Sequence, residues 1–403
     1  MCHRSFSRDS LGLVRPRSYR FAAIRQPVQP VEPAVTSPSS SQPNSQPNAQ
    51  PTARRNLDDV RLGLTFDDVL IVPARSAIRS RGDVSMRTQL TRNVAIEIPV
   101  TAANMDTVCE WEMAVALGRL GGMGMIHRFF TVDQQAAQIR KVKGEGLLVG
   151  AAVGTDHDAL TRARASIEAG VDVLVLDIAH GHSDHAIHTV QLLKKEFPGT
   201  DVIAGNVATR AGAEDLIRAG ADGIKVGVGP GGVCTTRIVA GVGVPQLTAI
   251  NDCAGLDVPI IGDGGIRTSG DIAKALAAGA NSVMIGSMFA GTKESPGEVE
   301  QSPHGLVKRV RGMASFEALE RRAQRQGTEL DEEYLEQRAP EGVEGTVPYK
   351  GSVVQLVNKL MAGVRSSMSY VNATTIGEFQ ANAEFIRITN AGLTESHPHA
   401  THR

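Results

Sequence analysis

One cysteine stands in a context suited to covalent chemistry. In the segment KVGVGPGGVCTTR, residues 225–237, Cys234 follows a glycine-rich run and precedes two threonines. Such a loop brings backbone N–H groups close to a ligand, and N–H groups aimed at a sulfur favour the nucleophilic thiolate. Free cysteine is also among the most buried residue types, so simple packing is the alternative. Because the GPGG run fits neither regular helix nor strand, we favour a nucleophile.

Two further glycine-containing segments point to a phosphate group. GDGG, residues 262–265, and IGS, residues 285–287, each follow a short apolar run. Loop N–H groups and helix N-termini bind anions in this way. A tight turn that needs glycine is the alternative for either segment alone, but the pair favours phosphate binding. Asp263, between the glycines, is an acceptor suited to ribose hydroxyls.

The remaining histidines and cysteines give no metal-ligand spacing. The segment HGHSDHAIH matches no standard zinc motif and lacks an acidic or cysteine partner, so we predict a solvated loop entering a helix. The scattered cysteines indicate reduced thiols in a cytoplasmic protein. The residues concerned are His180, His182, His185 and His188, and Cys2, Cys109, Cys234 and Cys253.

The elements that must position these residues alternate eight times. Short Val- and Ile-rich runs each lead into a stretch with helical periodicity, and RAGADGI, EAGVDVL and AAGANSV repeat a helix, a glycine stop and a buried strand. Eight repeats predict an α/β fold, a (β/α)8 TIM barrel, with a doubly wound open sheet as the alternative. In a barrel, the loops after the strands converge on one face, where active sites lie.

Composition separates the first sixty residues from the rest of the 403. An Arg-rich start is followed by a Pro/Gln/Ser/Asn tract, which predicts a disordered tail over residues 1–60 and a catalytic barrel over residues 61–403. A flexible tail or an early start codon is favoured over a transit peptide. The formal net charge of -1 and the lack of a long apolar run argue against nucleic-acid and membrane binding.

A charged excursion follows the eighth predicted strand. Residues 314–345 are rich in Arg and Glu and have helical stretches. An insertion of this length predicts a mobile flap over the site, with a surface insertion of no role as the alternative.

These motifs together resemble the IMP dehydrogenase / GMP reductase family. The resemblance is carried by GVGPGGVCTTRIVAGVGVPQLTAI, GDGGIRTSGDIAKALAAGANSVMIGS and PEGVEGTVPYKG, in that order, and runs from about residue 62 to the C-terminus. It implies a (β/α)8 barrel, usually a homotetramer, that acts on GMP or IMP with NADP(H) or NAD(H) through a covalent cysteine–purine intermediate. A catalytically inactive nucleotide-binding barrel is the alternative of another class.

The resemblance also implies roles for individual residues. The catalytic positions are Cys234, Thr236 and Glu341. The substrate-binding positions are Asp263, Gly264, Gly265, Gly286, Ser287, Met313 and Ala314. The cofactor-binding positions are Asp177, Ile178, Ala179, Asn206, Gly227 and Gly229. A potassium ion would be bound by the carbonyls of Gly229, Gly231 and Cys234, with Glu395, Ser396 and His397 from a neighbouring subunit.

This sequence departs from the family pattern at two places. Gly232 stands where the family usually has a serine in the GPGS loop, so one phosphate hydroxyl is missing. Val310 stands where an aromatic residue usually precedes RGM.

The choice between the two family activities depends on the flap. Dehydrogenases carry an adjacent Arg-Tyr pair there to activate water, whereas here Arg325 is followed by Gln326. The absence of a regulatory insertion between the second and third strands and Asn104 in AANMDTV are also typical of reductases. The AGLTESHPHA tail, the length of the flap and Arg128 favour a dehydrogenase. We predict a GMP reductase, with an IMP dehydrogenase as the alternative.

Overall fold

The structure, a computed structural model, describes residues 57–327 and 339–398. The chain divides into two compact units, Met1–Val60 and Arg61–Arg403. In the first unit the described residues include one 3-10 turn, Leu57–Asp59. All other described elements belong to the second unit, which contains every residue singled out above except Cys2.

Eight parallel strands close into a barrel, each hydrogen-bonded to its neighbours in chain order, and the last pairs with the first. Every predicted strand is confirmed, and the fold is the (β/α)8 barrel. The barrel strands are β4 (Val100–Ala102), β5 (Met123–Ile126), β6 (Val149–Val153), β7 (Val173–Leu176), β8 (Asp201–Val207), β9 (Gly223–Val226), β10 (Ile260–Asp263) and β11 (Ser282–Ile285).

Helices connect and cover the strands, and two of them, α6 and α9, are single turns. They are α1 (Trp111–Gly118), α2 (Val132–Gly144), α3 (Ala159–Glu168), α4 (Asp184–Glu196), α5 (Arg210–Arg218), α6 (Thr236–Val239), α7 (Gln246–Cys253), α8 (Ser269–Ala277), α9 (Ser287–Ala290), α10 (Phe316–Gln326), α11 (Val353–Tyr370), α12 (Ile376–Asn382) and α13 (Asn390–Glu395). No helix in the described ranges combines the length and apolarity needed to cross a membrane.

The repeated helix–glycine–strand device works through backbone geometry. Gly170, Gly220 and Gly279 follow α3, α5 and α8 with φ values of +92°, +107° and +115°. Only glycine adopts these angles without strain, so each residue ends its helix and turns the chain back into the sheet. The strands that follow are buried on both faces, which explains why they are almost wholly apolar.

Among the described residues, three small sheets lie outside the barrel. β12 (Glu300–Ser302), β13 (Gly305–Arg311) and β14 (Glu344–Pro348) form an antiparallel sheet, and α10 lies in the connection between β13 and β14. β1 (Val69–Ile71) pairs with β15 (Phe385–Arg387), and β2 (Thr88–Gln89) pairs with β3 (Ala95–Ile96). The proposed flap therefore connects two strands of the β12–β14 sheet. Its residues 328–338 lie outside the described part of the chain.

Candidate active site

The loop that holds Cys234 joins the sixth barrel strand, β9, to α6. Gly229 has a φ of +88°, and a Cβ there would lie 2.5 Å from Arg237 Cγ, so the turn requires glycine. The Cys234 N–H donates to the Gly231 carbonyl at 3.1 Å, which folds the loop back on itself. Cys234 is consequently half-buried at the C-terminal end of the barrel, where enzymes of this fold carry their active sites.

A threonine hydroxyl accompanies the thiol. Cys234 Sγ lies 3.2 Å from Thr236 Oγ1, at the first residue of α6. A hydroxyl both donates and accepts a proton, so Thr236 can exchange one with the sulfur or with a group bonded next to it. The predicted pair of catalytic residues is therefore in direct contact.

The far end of the flap segment returns to the cysteine loop. The Thr235 N–H donates to the Glu341 carbonyl at 3.0 Å, and Cys234 and Gly342 form an antiparallel bridge. Backbone pairing thus fixes Glu341 beside the thiol, although the two residues are more than one hundred positions apart in the sequence.

The start of the flap segment meets the same edge. The Glu341 N–H donates to the Ala314 carbonyl at 3.2 Å, and the Gly312 N–H donates to the Val343 carbonyl at 3.0 Å. Met313 lies between these two contacts. The structure therefore brings together Cys234, Thr236, Glu341, Met313 and Ala314.

The loop after β10 packs directly against the cysteine loop. Gly264 has a φ of +93°, and a Cβ there would lie 2.9 Å from Pro230 Cγ. A Cβ on the next residue, Gly265, would lie 3.4 Å from a ring carbon of Phe66. The GDGG segment is therefore held between the GPGG loop and the 3-10 helix Phe66–Asp68.

The loop after β11 approaches the GPGG loop at Gly232, one of the two positions where the sequence departs from the family pattern that it resembles. Gly286 precedes α9, and Ser287 is the first residue of that helix. A Cβ on Gly232 would lie 3.1 Å from Ser287 Oγ. The hydroxyl of Ser287 therefore faces Gly232, at the position where the family usually has a serine.

Asp263 is held from three sides. Its Oδ2 accepts hydrogen bonds of 2.9 Å from Lys225 Nζ and from Asn206 Nδ2. Its backbone carbonyl accepts from Gln246 Nε2 at 3.1 Å, and the same amide donates to the Val226 carbonyl at 2.9 Å. The carboxylate therefore has one oxygen fixed by the protein, and its other oxygen can accept from a ligand.

The predicted cofactor-binding residues lie on the adjoining side. The Asn206 N–H donates to the Ile178 carbonyl at 3.2 Å, and its side chain donates to the Gly227 carbonyl at 2.7 Å. Asp177, at the end of β7, accepts from Arg128 Nε at 2.9 Å. Its other carboxylate oxygen is suited to a ribose hydroxyl, so the chemistry of this set fits a nicotinamide dinucleotide. Ala179 continues the same loop.

Helix α10 is docked on this side of the barrel through Arg325. Both terminal nitrogens of Arg325 lie 3.2 Å from Glu110 Oε1. The guanidinium also stands over the ring of Phe130, 4.8 Å from its centroid, and the ring of His127 stacks on the same phenylalanine at 4.3 Å between centroids. Arg325, which the sequence shows without the adjacent tyrosine of a water-activating pair, therefore contacts Glu110, His127 and Phe130.

Two further residues of α10 complete the docking. Arg322 Nη2 donates to Asp156 Oδ2 at 2.6 Å, and the same oxygen accepts from Arg128 Nη1 at 3.2 Å. Gln326 Nε2 donates to the Arg128 carbonyl at 3.4 Å. Because Arg128 also binds Asp177, α10 and the Asp177 carboxylate share one ion-pair network.

The protonation state of His127 follows from its neighbours. Burial lowers the pKa of His127 against the opposing effect of Glu110. The Phe129 N–H donates to Nδ1 at 3.2 Å, so Nδ1 is the unprotonated nitrogen and Nε2 donates to Glu110 Oε1 at 3.3 Å. Burial alone would raise the pKa of Glu110, but the His127 hydrogen bond and the Arg325 charge outweigh it and hold that pKa below its ordinary value. The docked helix therefore binds an ionised carboxylate.

The histidine segment forms the loop between β7 and α4. Ser183 precedes that helix, and His182 Nε2 lies 2.8 Å from Asp215 Oδ2. The rings of His180 and His182 meet edge to face, 6.4 Å apart. Within residues 57–327 and 339–398, no group of three or more His, Cys, Asp or Glu side chains is arranged to hold a metal ion.

The tail residues predicted to bind potassium lie at the end of α13. This helix packs beside the 3-10 helix Phe66–Asp68 of the same chain, and His397 Nδ1 lies 2.9 Å from the Leu393 carbonyl. A carbonyl has two lone pairs, so the Gly231 carbonyl that accepts the Cys234 N–H can still ligate an ion. The loop carbonyls therefore fit potassium chemically.

The sequence reasoning missed Glu110, His127, Phe130, Asp156 and Arg322. All five act through contacts made between distant segments; Arg325 and Glu110 are 215 positions apart. A local pattern cannot show such pairs. The available signal was the segment IHR, residues 126–128: its arginine departs from the family pattern, but nothing in the segment marks its histidine as buried.

Comparisons with known proteins agree with this geometry. The family model for the IMP dehydrogenase / GMP reductase domain matches residues 63–399. The chain is 40% identical to the inosine-5'-monophosphate dehydrogenase of Nitrosopumilus maritimus, covering 84% of this chain and 98% of that protein. It is 37% identical to the GMP reductase of Leishmania donovani, covering 84% and 96%.

A solved structure is similar over nearly its whole length. The GMP reductase C318A variant of Trypanosoma brucei, in complex with guanosine 5'-monophosphate, superposes with a TM-score of 0.81 at 36% identity, covering 86% of this chain and 99% of that one. Both the family match and these relatives span the barrel and its loops. The chain therefore belongs to the IMP dehydrogenase / GMP reductase family of nicotinamide-dependent oxidoreductases.

Proposed function

We propose that this protein is a cytoplasmic GMP reductase, which converts GMP and NADPH into IMP, ammonia and NADP. The flap sequence carries the proposal. Residues 314–345 contain no adjacent Arg-Tyr pair, and the arginine nearest to the expected place, Arg325, is bound to Glu110 on the cofactor side. A dehydrogenase must activate water at the purine, whereas Arg322 and Arg325 of α10 are bound to the carboxylates of Asp156 and Glu110.

The first chemical step belongs to Cys234. Its thiolate adds to C2 of the purine, and the bond from C2 to the exocyclic nitrogen breaks as that nitrogen takes up a proton and leaves as ammonia. NADPH, when bound, supplies the hydride that C2 must gain. Release of the thiolate from C2 then completes IMP and restores the free Cys234.

Proton transfer to the departing nitrogen falls to Thr236 and Glu341. The hydroxyl of Thr236 lies 3.2 Å from the sulfur, so it is next to the carbon that the sulfur attacks. Backbone pairing places Glu341 on the same edge. Met313 and Ala314 are suited to contact the base, and a positioned acid of this kind contributes about 10²–10⁴-fold to a rate.

The nucleotide is held by its ribose and phosphate. The unengaged oxygen of Asp263 accepts from ribose hydroxyls, and the N–H groups around Gly264, Gly265, Gly286 and Ser287 bind the 5'-phosphate. Asp177, Ile178, Ala179, Asn206, Gly227 and Gly229 would hold NADP(H), or NAD(H) as the alternative. A nucleotide held in this way would have its purine C2 between the thiol and the proposed cofactor-binding residues.

A homotetramer with bound potassium extends the proposal. Glu395, Ser396 and His397 of one copy would complete an ion site made by the carbonyls of Gly229, Gly231 and Cys234 in the next. A tetrameric mass in solution and activity that rises when Li⁺ is replaced by K⁺ would support it. A monomer with full activity in Li⁺ would contradict it.

IMP dehydrogenase is the second candidate, and the curated relatives named above favour it as strongly as the reductase. Two assays of the full chain decide between them: NADPH oxidation with GMP, and NAD reduction with IMP. We expect the first reaction to be fast and the second slow. Thr236→Val should slow the first by about 10²–10⁴-fold while GMP still binds; brisk oxidation of IMP would overturn the reductase proposal.

A further inference from the structure

A buried lysine with no assigned role lies beneath Asp263, the residue proposed to bind the ribose hydroxyls. Lys225 is in the middle of β9 and is 4% exposed. Isolated ammonium groups are costly to bury, so such a lysine is normally kept for the partner that it neutralises. Here that partner is Asp263, whose Oδ2 lies 2.9 Å from Lys225 Nζ.

Asn206 joins the pair into a triad. Its Nδ2 donates to Asp263 Oδ2 at 2.9 Å, and its Oδ1 accepts from Lys225 Nζ. The strand register shifts at this point, because Gly205 and Val207 pair with Lys225 and Val226 and leave Asn206 between them. Such an irregularity re-aims a side chain, and it turns the Asn206 amide towards Asp263.

The triad links the ends of three neighbouring strands, β8, β9 and β10. Lys225 and Asn206 both use Oδ2, so Asp263 is held in one orientation with Oδ1 directed away from both donors. A carboxylate held in this way can accept from hydroxyl groups, and its side chain loses little conformational entropy when the ligand binds.

We propose that Lys225 is a positioning residue for nucleotide binding: it fixes the orientation of the Asp263 side chain and acts on the ligand through that carboxylate. The inference rests on the proposed role of Asp263 in binding ribose hydroxyls. It adds a residue that determines the affinity for the nucleoside part of the substrate and leaves the thiol chemistry at Cys234 untouched.

The test is a double-mutant cycle in the full chain, read as GMP affinity by calorimetry and as kcat and KM. Lys225→Met keeps the length of the side chain and removes its charge; Asp263→Asn removes the negative charge and replaces one of the two acceptor oxygens by a donor NH₂ group. We expect Lys225→Met to weaken GMP binding roughly 10- to 100-fold, since hydrogen bonds to charged groups are of that strength, with kcat within about 3-fold of the parent. In the Asp263→Asn background the same change should alter affinity less than about 3-fold.

A matched control comes from the opposite end of the barrel. Lys194 Nζ binds Asp222 Oδ2 at 2.8 Å, in a partly buried lysine–aspartate pair just before β9. Lys194→Met should lower the melting temperature and leave GMP affinity within about 2-fold, since this pair is remote from the loops. A general loss of structure would lower the GMP affinity of both lysine variants, whereas a positioning role lowers it only in Lys225→Met.

The outcomes separate this inference from the proposed function. Unchanged GMP affinity in Asp263→Asn would overturn the ribose role and the inference with it. Weakened binding in Asp263→Asn with normal binding in Lys225→Met would overturn the inference alone. Losses that add in the double variant would also overturn it, because they would mean that Lys225 acts independently of Asp263.

Discussion

The docking of α10 gives the most quantitative prediction. Arg325→Ala removes two 3.2 Å contacts to Glu110 and the position over Phe130. It leaves Arg322 and Gln326 in place, so the helix should still dock, but less tightly. The expected effect is on the equilibrium between docked and undocked α10, with no change in the barrel itself.

The magnitude follows from the exposure of the two side chains. The side chain of Arg325 is 33% exposed and that of Glu110 is 19% exposed. Fully exposed ion pairs contribute about 0–1 kcal/mol, and hydrogen bonds to buried charges contribute about 1.5–3 kcal/mol. We assign the pair about 1 kcal/mol and the ring contact about 0.5–1 kcal/mol. A total of about 1.5–2 kcal/mol corresponds to a roughly 10- to 30-fold rise in the undocked population.

Hydrogen exchange measured by mass spectrometry reads this population directly. The amides of Phe316–Gln326 should exchange roughly 10- to 30-fold faster in Arg325→Ala, since exchange reports the open fraction. Arg321→Ala is the matched control, because its guanidinium donates to Gln324 on the same helix at 3.2 Å. If both variants exchange at the parent rate, the account of α10 docking is wrong.

Three other predictions concern His127, the thiols and the cysteine loop. Because burial lowers the pKa of His127 below its unfolded value, the contribution of His127 to the free energy of unfolding should be constant above about pH 6.5 and fall as the pH drops below it, by up to about 1.4 kcal/mol per unit, in urea titrations; a slope that is the same in His127→Gln would contradict the assignment. In a Cys2→Ser variant, alkylation should stop at one thiol, Cys234, and GMP should slow it, because burial raises the pKa of Cys253 to about 12 and that of Cys109 further; rapid labelling of a second thiol would refute this. Gly227→Ala should lower the melting temperature by several degrees, since its Cβ would lie 2.0 Å from the Asp263 carbonyl at a φ of +152°, whereas Gly144→Ala, with nothing within 4 Å, should not; equal melting temperatures would show that the loop relaxes around the methyl group.

The barrel could be predicted from the sequence because its signals are local. The strands are short, mostly apolar runs, and α3, α5 and α8 are each followed by a glycine, such as Gly220, whose positive φ is required by the turn. The C-terminal loops then follow from topology alone. For the same reason the sequence alone predicts that the cysteine loop and the GDGG and IGS segments lie on one face.

The ion-pair networks could not be predicted in this way. Lys225 lies within a buried strand, among apolar residues. Nothing next to it in the sequence indicates that its charge is neutralised by Asp263, 38 positions later. The contact between Arg322 and Asp156 depends on how α10 leaves the β12–β14 sheet, which is set by packing of distant segments. Tertiary contacts of this kind determine where the side chains lie, whereas local sequence patterns determine only where the loops lie.

Ammonia release coupled to NADPH oxidation tests the central claim most directly. The purified chain, given GMP and NADPH, should release one ammonia for each NADPH oxidised, and Cys234→Ser should do neither while it still binds GMP, because a serine hydroxyl is not ionised near neutral pH. NADPH oxidation without ammonia, or a fully active Cys234→Ser variant, would contradict covalent reduction of GMP at this cysteine.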